Sequence, residues 1–145
     1  MRSRPLFHRQ ETRSCVPACV RMLLLSFGLD IPEIGLRLRC DTIILGTDAL
    51  KAVDTVRQLG FTGSAKYTLT LEELKNSAKM EEYPIVFVSL LPIDGRDDIH
   101  ALVVTEFEAG DVRVLDPLSG ERTIPVQTFS AAWAIRHNLT IIIRY

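Results

Sequence analysis

The spacing of apolar residues changes at Tyr83-Pro84, and this change limits the possible folds more than any other feature of the sequence. Before it, apolar residues recur at the spacing of a helix face, as between Leu50 and Leu59. After it, residues 85–91 form a continuous apolar run, and the segments that follow have the residues of strands and turns. Helices grouped before strands are typical of α+β folds. We therefore expect an N-terminal helical subdomain packed on a C-terminal antiparallel β-sheet.

Caps and turn residues give approximate bounds for these elements. Helices are predicted at 15–27, 31–38, 47–59, 71–80 and 127–135. Strands are predicted at 65–68, 85–91, 100–108, 111–116, 122–126 and 138–145. Thr47 is a good N-cap for the third helix, and Thr70 with Glu73 forms a capping box for the fourth. Ala109-Gly110 indicates a tight turn, and residues 92–98 are predicted to be an aspartate-rich polar loop.

The size and charge of the chain indicate a globular protein of one domain. It has 145 residues, 47% of them hydrophobic, so we expect residues 1–145 to form a single domain. A net charge of −1 gives no electrostatic basis for binding nucleic acid. The apolar run after Cys15 has about 12 residues, too few for a membrane span of roughly 20. Three cysteines do not make a disulfide framework, so we expect a cytoplasmic protein.

The stretch from Gln10 to Cys19 is the first candidate for chemistry. Cys15 opens the apolar helix, and Pro17 fits its first turn, where N–H groups lack helical partners. The free N–H groups and the dipole of a helix N-terminus stabilise the negative charge of a thiolate. A nearby side-chain amide can donate to an oxyanion. We therefore interpret Cys15 as a candidate nucleophile and Gln10 as its oxyanion-hole donor.

A cysteine nucleophile needs a base and a group that orients the base. Of the 3 histidines, His100 begins an apolar strand directly after the polar loop, which is a rigid position for a general base. Asp116 ends the next strand and is the candidate orienting carboxylate. If the two strands form a hairpin that turns at Ala109-Gly110, the unequal lengths of its arms require a bulge or an offset to bring His100 and Asp116 together.

Each of these residues also has a purely structural interpretation. Cys15 can be a small core residue, His100 a buried core histidine, and Asp116 the opener of the Asp-Pro turn. We interpret Cys19 and Cys40 as core residues. A zinc site formed by Cys15, Cys19 and His100 is another alternative, although a second ligand pair is missing from the sequence. The aspartates of the polar loop, Asp94, Asp97 and Asp98, are interpreted as solvated, with substrate gating as the alternative.

Taken together, these residues resemble the C39 peptidase family of papain-like cysteine peptidases. The resemblance covers nearly the whole chain, and the order and spacing of its segments carry it. The segments are Gln10…Cys15-Val16-Pro17-Ala18, Leu36-Arg37, Gly46-Thr47, Pro84-Ile85, His100-Ala101-Leu102-Val103-Val104, Asp116-Pro117…Gly120 and Phe129…Trp133.

The resemblance implies a papain-like fold and a role for each site residue. Cys15 would be the nucleophile, His100 the base, Asp116 the orienting aspartate and Gln10 the oxyanion donor. It also implies that the last strands bring His100 and Asp116 together. No cofactor is implied, and no metal.

The resemblance also implies a substrate class and a partner. C39 peptidases cleave leader peptides after two small residues, Gly-Gly or Gly-Ala, and the amphipathic helix of the leader docks away from the nucleophile. They occur in ABC exporters of bacteriocins and as free-standing proteins. The expected partner is thus a peptide or protein substrate, with an ABC exporter if the chain is an excised domain. Two other functions stay open: a non-proteolytic substrate-binding module, and a related thiol amidase or isopeptidase.

One position departs from the family pattern. The family usually has glycine directly after the cysteine, and this chain has Val16. A side chain at this position is expected to narrow the substrate cleft or to alter the backbone beside the oxyanion hole.

Overall fold

A six-stranded antiparallel sheet forms the centre of the fold, with the strand order β1-β6-β2-β3-β4-β5. The computed structural model describes residues 3–10, 15–39 and 49–145. Within these ranges the strands are β1 (Ala65–Thr68), β2 (Ile85–Ser89), β3 (Ile99–Glu108), β4 (Asp111–Asp116), β5 (Gly120–Pro125) and β6 (Leu139–Ile142). The helices there are α1 (Cys15–Ser26), α2 (Glu33–Arg39), α3 (Ala49–Gln58), α4 (Leu71–Lys79), α5 (Leu91–Asp94) and α6 (Val126–Ile135).

Most of the predicted elements are confirmed, and so is the α+β class. The bounds of β1 and β4 agree with the prediction, and the capping box of α4 is present with both of its hydrogen bonds. The predicted polar loop at 92–98 is partly wrong, because the short helix α5 begins at Leu91 and extends through Asp94. Ser89 Oγ accepts a hydrogen bond from the Leu91 N–H, and Gly95, with φ of 73°, ends that helix. The predicted cap Thr47 and the core assignment of Cys40 fall outside the described residues.

Helices cover both faces of the sheet, and each face has its own apolar cluster. On one face, helices of the N-terminal part pack against alternate residues of the central strands. This cluster includes Met22, Leu23 and Val53 from the helices and Phe87 and Val103 from the strands. On the other face, α4 and α6 pack against the intervening residues, including Leu74, Val88, Leu102, Phe129 and Trp133. The central strands are therefore buried on both sides, which explains their continuous apolar sequence.

A bulge between β3 and β4 brings His100 and Asp116 into the same alternation of side chains. Glu106 pairs with Arg113, and that register would set Asp116 opposite Val103, whose side chain faces away from that of His100. The register instead shifts between Val104 and Glu106, so that Val103 pairs with Leu115. This is the offset that the hairpin requires.

The turn between β3 and β4 is tight. Ala109 and Gly110 both have positive φ, of 50° and 84°, as a two-residue hairpin turn of the primed type requires.

Among the described residues, no helix is long and apolar enough to cross a membrane.

Candidate active site

His100 and Asp116 form a buried pair at the ends of two neighbouring strands. His100 Nε2 lies 2.7 Å from Asp116 Oδ1, and the two side chains are 4% and 2% exposed. An ionised carboxylate only accepts hydrogen bonds, so Nε2 carries the proton of this bond. The other ring nitrogen, Nδ1, is then the one that can face a nucleophile.

The candidate nucleophile Cys15 comes from the helix α1. It is the first residue of α1, is half-buried and has a free thiol. Its thiol lies near the imidazole of His100 and raises the pKa of that histidine. The structure thus brings together Cys15, His100 and Asp116, which lie far apart in the sequence.

The surroundings of the imidazole favour its charged form. Burial is the largest single influence and lowers the pKa of His100. The hydrogen bond that His100 donates to Asp116, the nearby Cys15 thiol and the negative charges of both groups outweigh burial and raise that pKa to about 9. At neutral pH the imidazole is therefore positively charged when these partners are present.

The surroundings of Asp116 keep it ionised. Burial is again the largest influence and raises its pKa, but the hydrogen bond and charge of His100 oppose this effect. The N–H of Leu118 donates to Oδ1 over 2.9 Å, and Arg122 donates to Oδ2 over 3.1 Å. Together these partners lower the pKa of Asp116 to about 2.

Gln10 is attached to the same site through its backbone. Its N–H donates to the carbonyl of Pro117 over 2.8 Å, one residue after Asp116. The Gln10 side chain is partly exposed, but its Oε1 atom is buried and accepts no hydrogen bond from any described residue. The backbone of Gln10 is thus held near Asp116, and its side-chain oxygen has no hydrogen bond within the described ranges.

Two further residues extend the site, and the sequence interpretation missed their role. Arg122 of β5 donates to Asp116 and to both carboxylate oxygens of Asp94, which is the last residue of α5. Asp94 is exposed, as expected, but it lies in the helix α5 and not in a loop, and it is an ion-pair partner of Arg122. The available signal was strand pairing: Asp116 pairs with Gly120, so Arg122 is a diagonal neighbour on the same face.

The described residues do not support a metal centre. Across residues 3–10, 15–39 and 49–145, no group of three or more His, Cys, Asp or Glu side chains is arranged to hold a metal ion. Cys19 is fully buried, and desolvation, with the nearby Cys15, raises its pKa well above the usual thiol value. A thiol of that kind is a poor ligand and a poor nucleophile. The zinc alternative thus has no supporting cluster in this part of the chain.

The model of the peptidase C39 family matches residues 3–143, which is nearly the whole chain. This chain belongs to the peptidase C39 family. The resemblance drawn from the sequence is therefore confirmed.

Known proteins similar to this C39 chain include transporter components. LagD, the lactococcin-G-processing and transport ATP-binding protein of Lactococcus lactis subsp. lactis, is 23% identical over 128 residues. Those residues cover 88% of this chain but only 17% of LagD, so the chain spans a small part of that relative.

Solved structures of the same fold match almost the full length of this C39 chain. The peptidase domain of Streptococcus ComA, a bi-functional ABC transporter of a quorum-sensing pathway, has a TM-score of 0.81 at 23% identity, with 97% of this chain and 98% of that domain covered. A double glycine motif protease from an AMS/PCAT transporter, solved with its leader peptide, has a TM-score of 0.77 at 22% identity, covering 97% and 91%. These likenesses confirm the papain-like α+β fold.

The side chain of Val16 lies in the apolar core and not in an open cleft. Its side chain is 3% exposed and packs in the apolar cluster beneath the sheet, together with Val20 and Leu23. In this C39 chain the residue after the cysteine is therefore a core residue, and the expectation that it narrows an open cleft is not supported. Its effect on the backbone beside Cys15 stays a prediction.

Proposed function

We propose that this chain is a cysteine peptidase in which Cys15 is the nucleophile and His100 the general base and acid. The observation that carries the proposal is the position of the His100 imidazole, bonded through Nε2 to Asp116 and near the Cys15 thiol. This order of thiol, imidazole and carboxylate is the arrangement that nucleophilic acyl transfer uses. Membership of the C39 family supports the same reaction.

The reaction proceeds in two acyl-transfer steps. In the reactive ion pair His100 Nδ1 already carries the proton of the Cys15 thiol, and the thiolate attacks the carbonyl carbon of the scissile peptide bond. The tetrahedral intermediate collapses when His100 returns that proton to the amine that leaves, so a thioester remains on Cys15. Water then attacks the thioester, with its proton taken by His100, and the release of the acid restores the thiol. Asp116 stays ionised throughout and holds the imidazole in one tautomer.

The oxyanion of each tetrahedral intermediate needs hydrogen-bond donors. The side-chain amide of Gln10 and the backbone N–H of Cys15 are the proposed donors, each worth roughly 3 kcal/mol in the transition state. The attachment of Gln10 to the Pro117 carbonyl supports this role, because it holds the amide near the site. The first turn of α1 leaves its N–H groups without partners inside the helix, and that of Cys15 is one of them.

The proposed substrate is a leader or precursor peptide cleaved after two small residues of the Gly-Gly or Gly-Ala type. Two relatives support this class: one is described as a double glycine motif protease in complex with a leader peptide, and the other as a lactococcin-G-processing transporter. We propose further that residues 1–145 form one peptidase domain that acts on such a leader in the cytoplasm, alone or beside an ABC exporter.

Cleavage of a double-glycine leader peptide tests this proposal. The chain and its Cys15→Ala variant are incubated with the peptide, and the products are identified by mass spectrometry. We expect cleavage after the second glycine by the unmodified chain and none by Cys15→Ala. Equal cleavage by both proteins would refute the catalytic assignment. Tight binding by both proteins without cleavage would favour a substrate-binding module instead.

A further inference from the structure

The guanidinium of Arg122 connects Asp116 to a second carboxylate. Its NH1 group donates to Oδ2 of Asp116 and to Oδ2 of Asp94, each over 3.1 Å, and its NH2 group donates to Oδ1 of Asp94 over 2.8 Å. The contact with Asp94 is bidentate, so the planar fork has a fixed orientation. Arg122 is thus anchored on α5 and reaches Asp116 with one nitrogen.

The two oxygens of Asp116 have different partners. Oδ1 accepts from His100 Nε2 and from the Leu118 N–H, whereas Oδ2 accepts from Arg122. Because Asp116 is only 2% exposed, water does not readily replace a lost donor at Oδ2. Without Arg122 the carboxylate would therefore rotate to satisfy Oδ2, and the hydrogen bond to His100 would weaken.

We propose that Arg122, anchored by Asp94, is a positioning residue that fixes the Asp116 carboxylate and through it the orientation of the His100 imidazole. Arg122 touches neither His100 nor the reacting atoms, so its effect passes through Asp116. The part of this inference that concerns turnover rests on the proposed peptidase function. The part that concerns the Asp116–His100 hydrogen bond does not.

The charges around the site support this role. In the reactive state they alternate along a line: the thiolate of Cys15, the imidazolium of His100, the carboxylate of Asp116, the guanidinium of Arg122 and the carboxylate of Asp94. Each charge has an opposite charge beside it, so no member of the line is left buried and unpaired. The hydrogen bonds of Arg122 lower the pKa of Asp94, and the same bonds raise the pKa of the guanidinium.

Other charged residues lie near this site in the described part of the chain. Arg96 follows α5 and lies near Asp94, but it forms its own ion pair with Asp98 at 3.3 Å. On the helical side, Cys15, Asp116 and Glu33 lie near Cys19, which is a neutral buried thiol. Among the described residues, Arg122 is therefore the cation that donates a hydrogen bond to Oδ2 of Asp116.

Kinetic measurements on the full chain test the effect on turnover. We expect Arg122→Gln to lower kcat for a double-glycine leader peptide about 10- to 100-fold, with KM changed less than about threefold, because misorientation affects the transition state. Arg122→Lys should recover part of the loss, since an ammonium keeps the charge but cannot bridge both carboxylates. Asp94→Asn should give a smaller loss of the same kind.

Arg113→Gln is the matched control for these variants. Arg113 also projects from the sheet and forms ion pairs, with Glu106, Glu108 and Glu121, but it does not contact Asp116. Its removal should leave kcat within about twofold of the unmodified chain. A rise in KM alone for Arg122→Gln would overturn the positioning role, and so would an equal loss of kcat in the Arg113 control.

Proton NMR of the Cys15→Ala protein tests the geometry without any need for turnover. The ring N–H of His100 that bonds to Asp116 should give a slowly exchanging low-field signal, assigned through its loss in His100→Gln. Adding Arg122→Gln should shift and broaden this signal, whereas adding Arg113→Gln should not. An unchanged signal in Arg122→Gln would overturn the inference. If the unmodified chain cleaves no peptide but the signal still responds to Arg122→Gln, the proposed function fails and the positioning role stands.

Discussion

The sheet half and the helix half of this site are held in different ways. In the sheet half, His100, Asp116 and Arg122 lie on three adjacent strands and are joined by side-chain hydrogen bonds. In the helix half, Cys15 is fixed by its place at the start of α1, and Gln10 by a backbone hydrogen bond to Pro117. The sheet half is thus an interlocked polar network, whereas the helix half depends on backbone position.

The difference separates orientation from reactivity. A buried network of paired groups gives the imidazole one orientation and one tautomer. A helix start gives a thiol unpaired N–H groups and the positive end of a dipole. We therefore expect substitutions in the two halves to have different effects on kcat, on KM and on the free energy of unfolding.

The largest effect after loss of the proposed nucleophile should come from Asp116→Asn in the sheet half. The amide cannot supply the negative charge that favours the imidazolium, and it can hold the wrong tautomer. We expect kcat to fall roughly 10²- to 10⁴-fold with little change in KM. Asp111→Asn, at the other end of β4, is the control and should leave the rate unchanged. A loss below about fivefold would show that the network does not orient His100 for catalysis.

Gln10→Ala should have the next largest effect, in the helix half. Loss of one oxyanion donor lowers kcat by about 10²- to 10³-fold, because the donor acts only when charge develops on the carbonyl oxygen. Steady-state kinetics with the exposed Gln58→Ala variant as control would measure it. If KM rises while kcat stays the same, Gln10 binds the ground state and is not an oxyanion donor.

The sheet network should also make stability depend on pH. The pKa of His100 is raised from 6.5 to about 9, so the folded state binds its proton more tightly than the unfolded state. This stabilisation is fully present below pH 6.5 and is lost as the pH rises through about 9, by at most about 3 kcal/mol. The depressed pKa of Asp116 acts in the opposite sense, and its contribution is lost as the pH falls from 3.8 towards 2.

Urea unfolding of the Cys15→Ala protein at pH 6 and pH 10 would measure the histidine term. Removing the thiol limits the titration to the pair in the sheet, so the loss should be smaller than in the unmodified chain but in the same direction. Asp116→Asn should remove most of the remaining difference between the two pH values. A difference that persists unchanged in that variant would have to come from other groups.

Val16→Gly should have the smallest effect on activity and a clear effect on stability. Removing a side chain that is 3% exposed, from a helix, should lower the free energy of unfolding by about 2–4 kcal/mol. Because Val16 faces the core, kcat/KM of the folded variant should stay within about threefold of the unmodified chain. Val16→Ala should lose less stability. A large change in cleavage rate with either variant would mean that this position shapes the oxyanion hole after all.

Much of the fold and the three central site residues could be predicted from the sequence. The change of hydrophobic period at Tyr83-Pro84 distinguishes helices from strands, and the positions of Cys15, His100 and Asp116 follow from a helix start and two strand ends. The need for a bulge also followed, since the arms of the hairpin are unequal. These features depend on local sequence patterns, which a single chain displays directly.

The rest depends on contacts that local patterns do not show. The pairing of Asp94 with Arg122 requires both the short helix α5 and the register of β5, and neither is visible in an aspartate-rich stretch. The second layer of helices on the sheet was also not predicted, because apolar strands buried on one or both faces differ little in sequence. The direction of Val16 depends on the rotation of α1 about its axis, which tertiary packing decides.

The pH dependence of Cys15 alkylation tests the central claim, that Cys15 and His100 form a reactive pair. Iodoacetamide labelling of Cys15 is followed by peptide mass spectrometry between pH 6 and pH 8, with glutathione as the reference thiol and Cys19 as the buried internal control. For an ordinary thiol the rate falls about 70-fold over this range. We predict less than a tenfold fall for Cys15 and an ordinary fall after His100→Ala. If labelling of Cys15 in the unmodified chain follows glutathione across the range, the two residues do not form the pair.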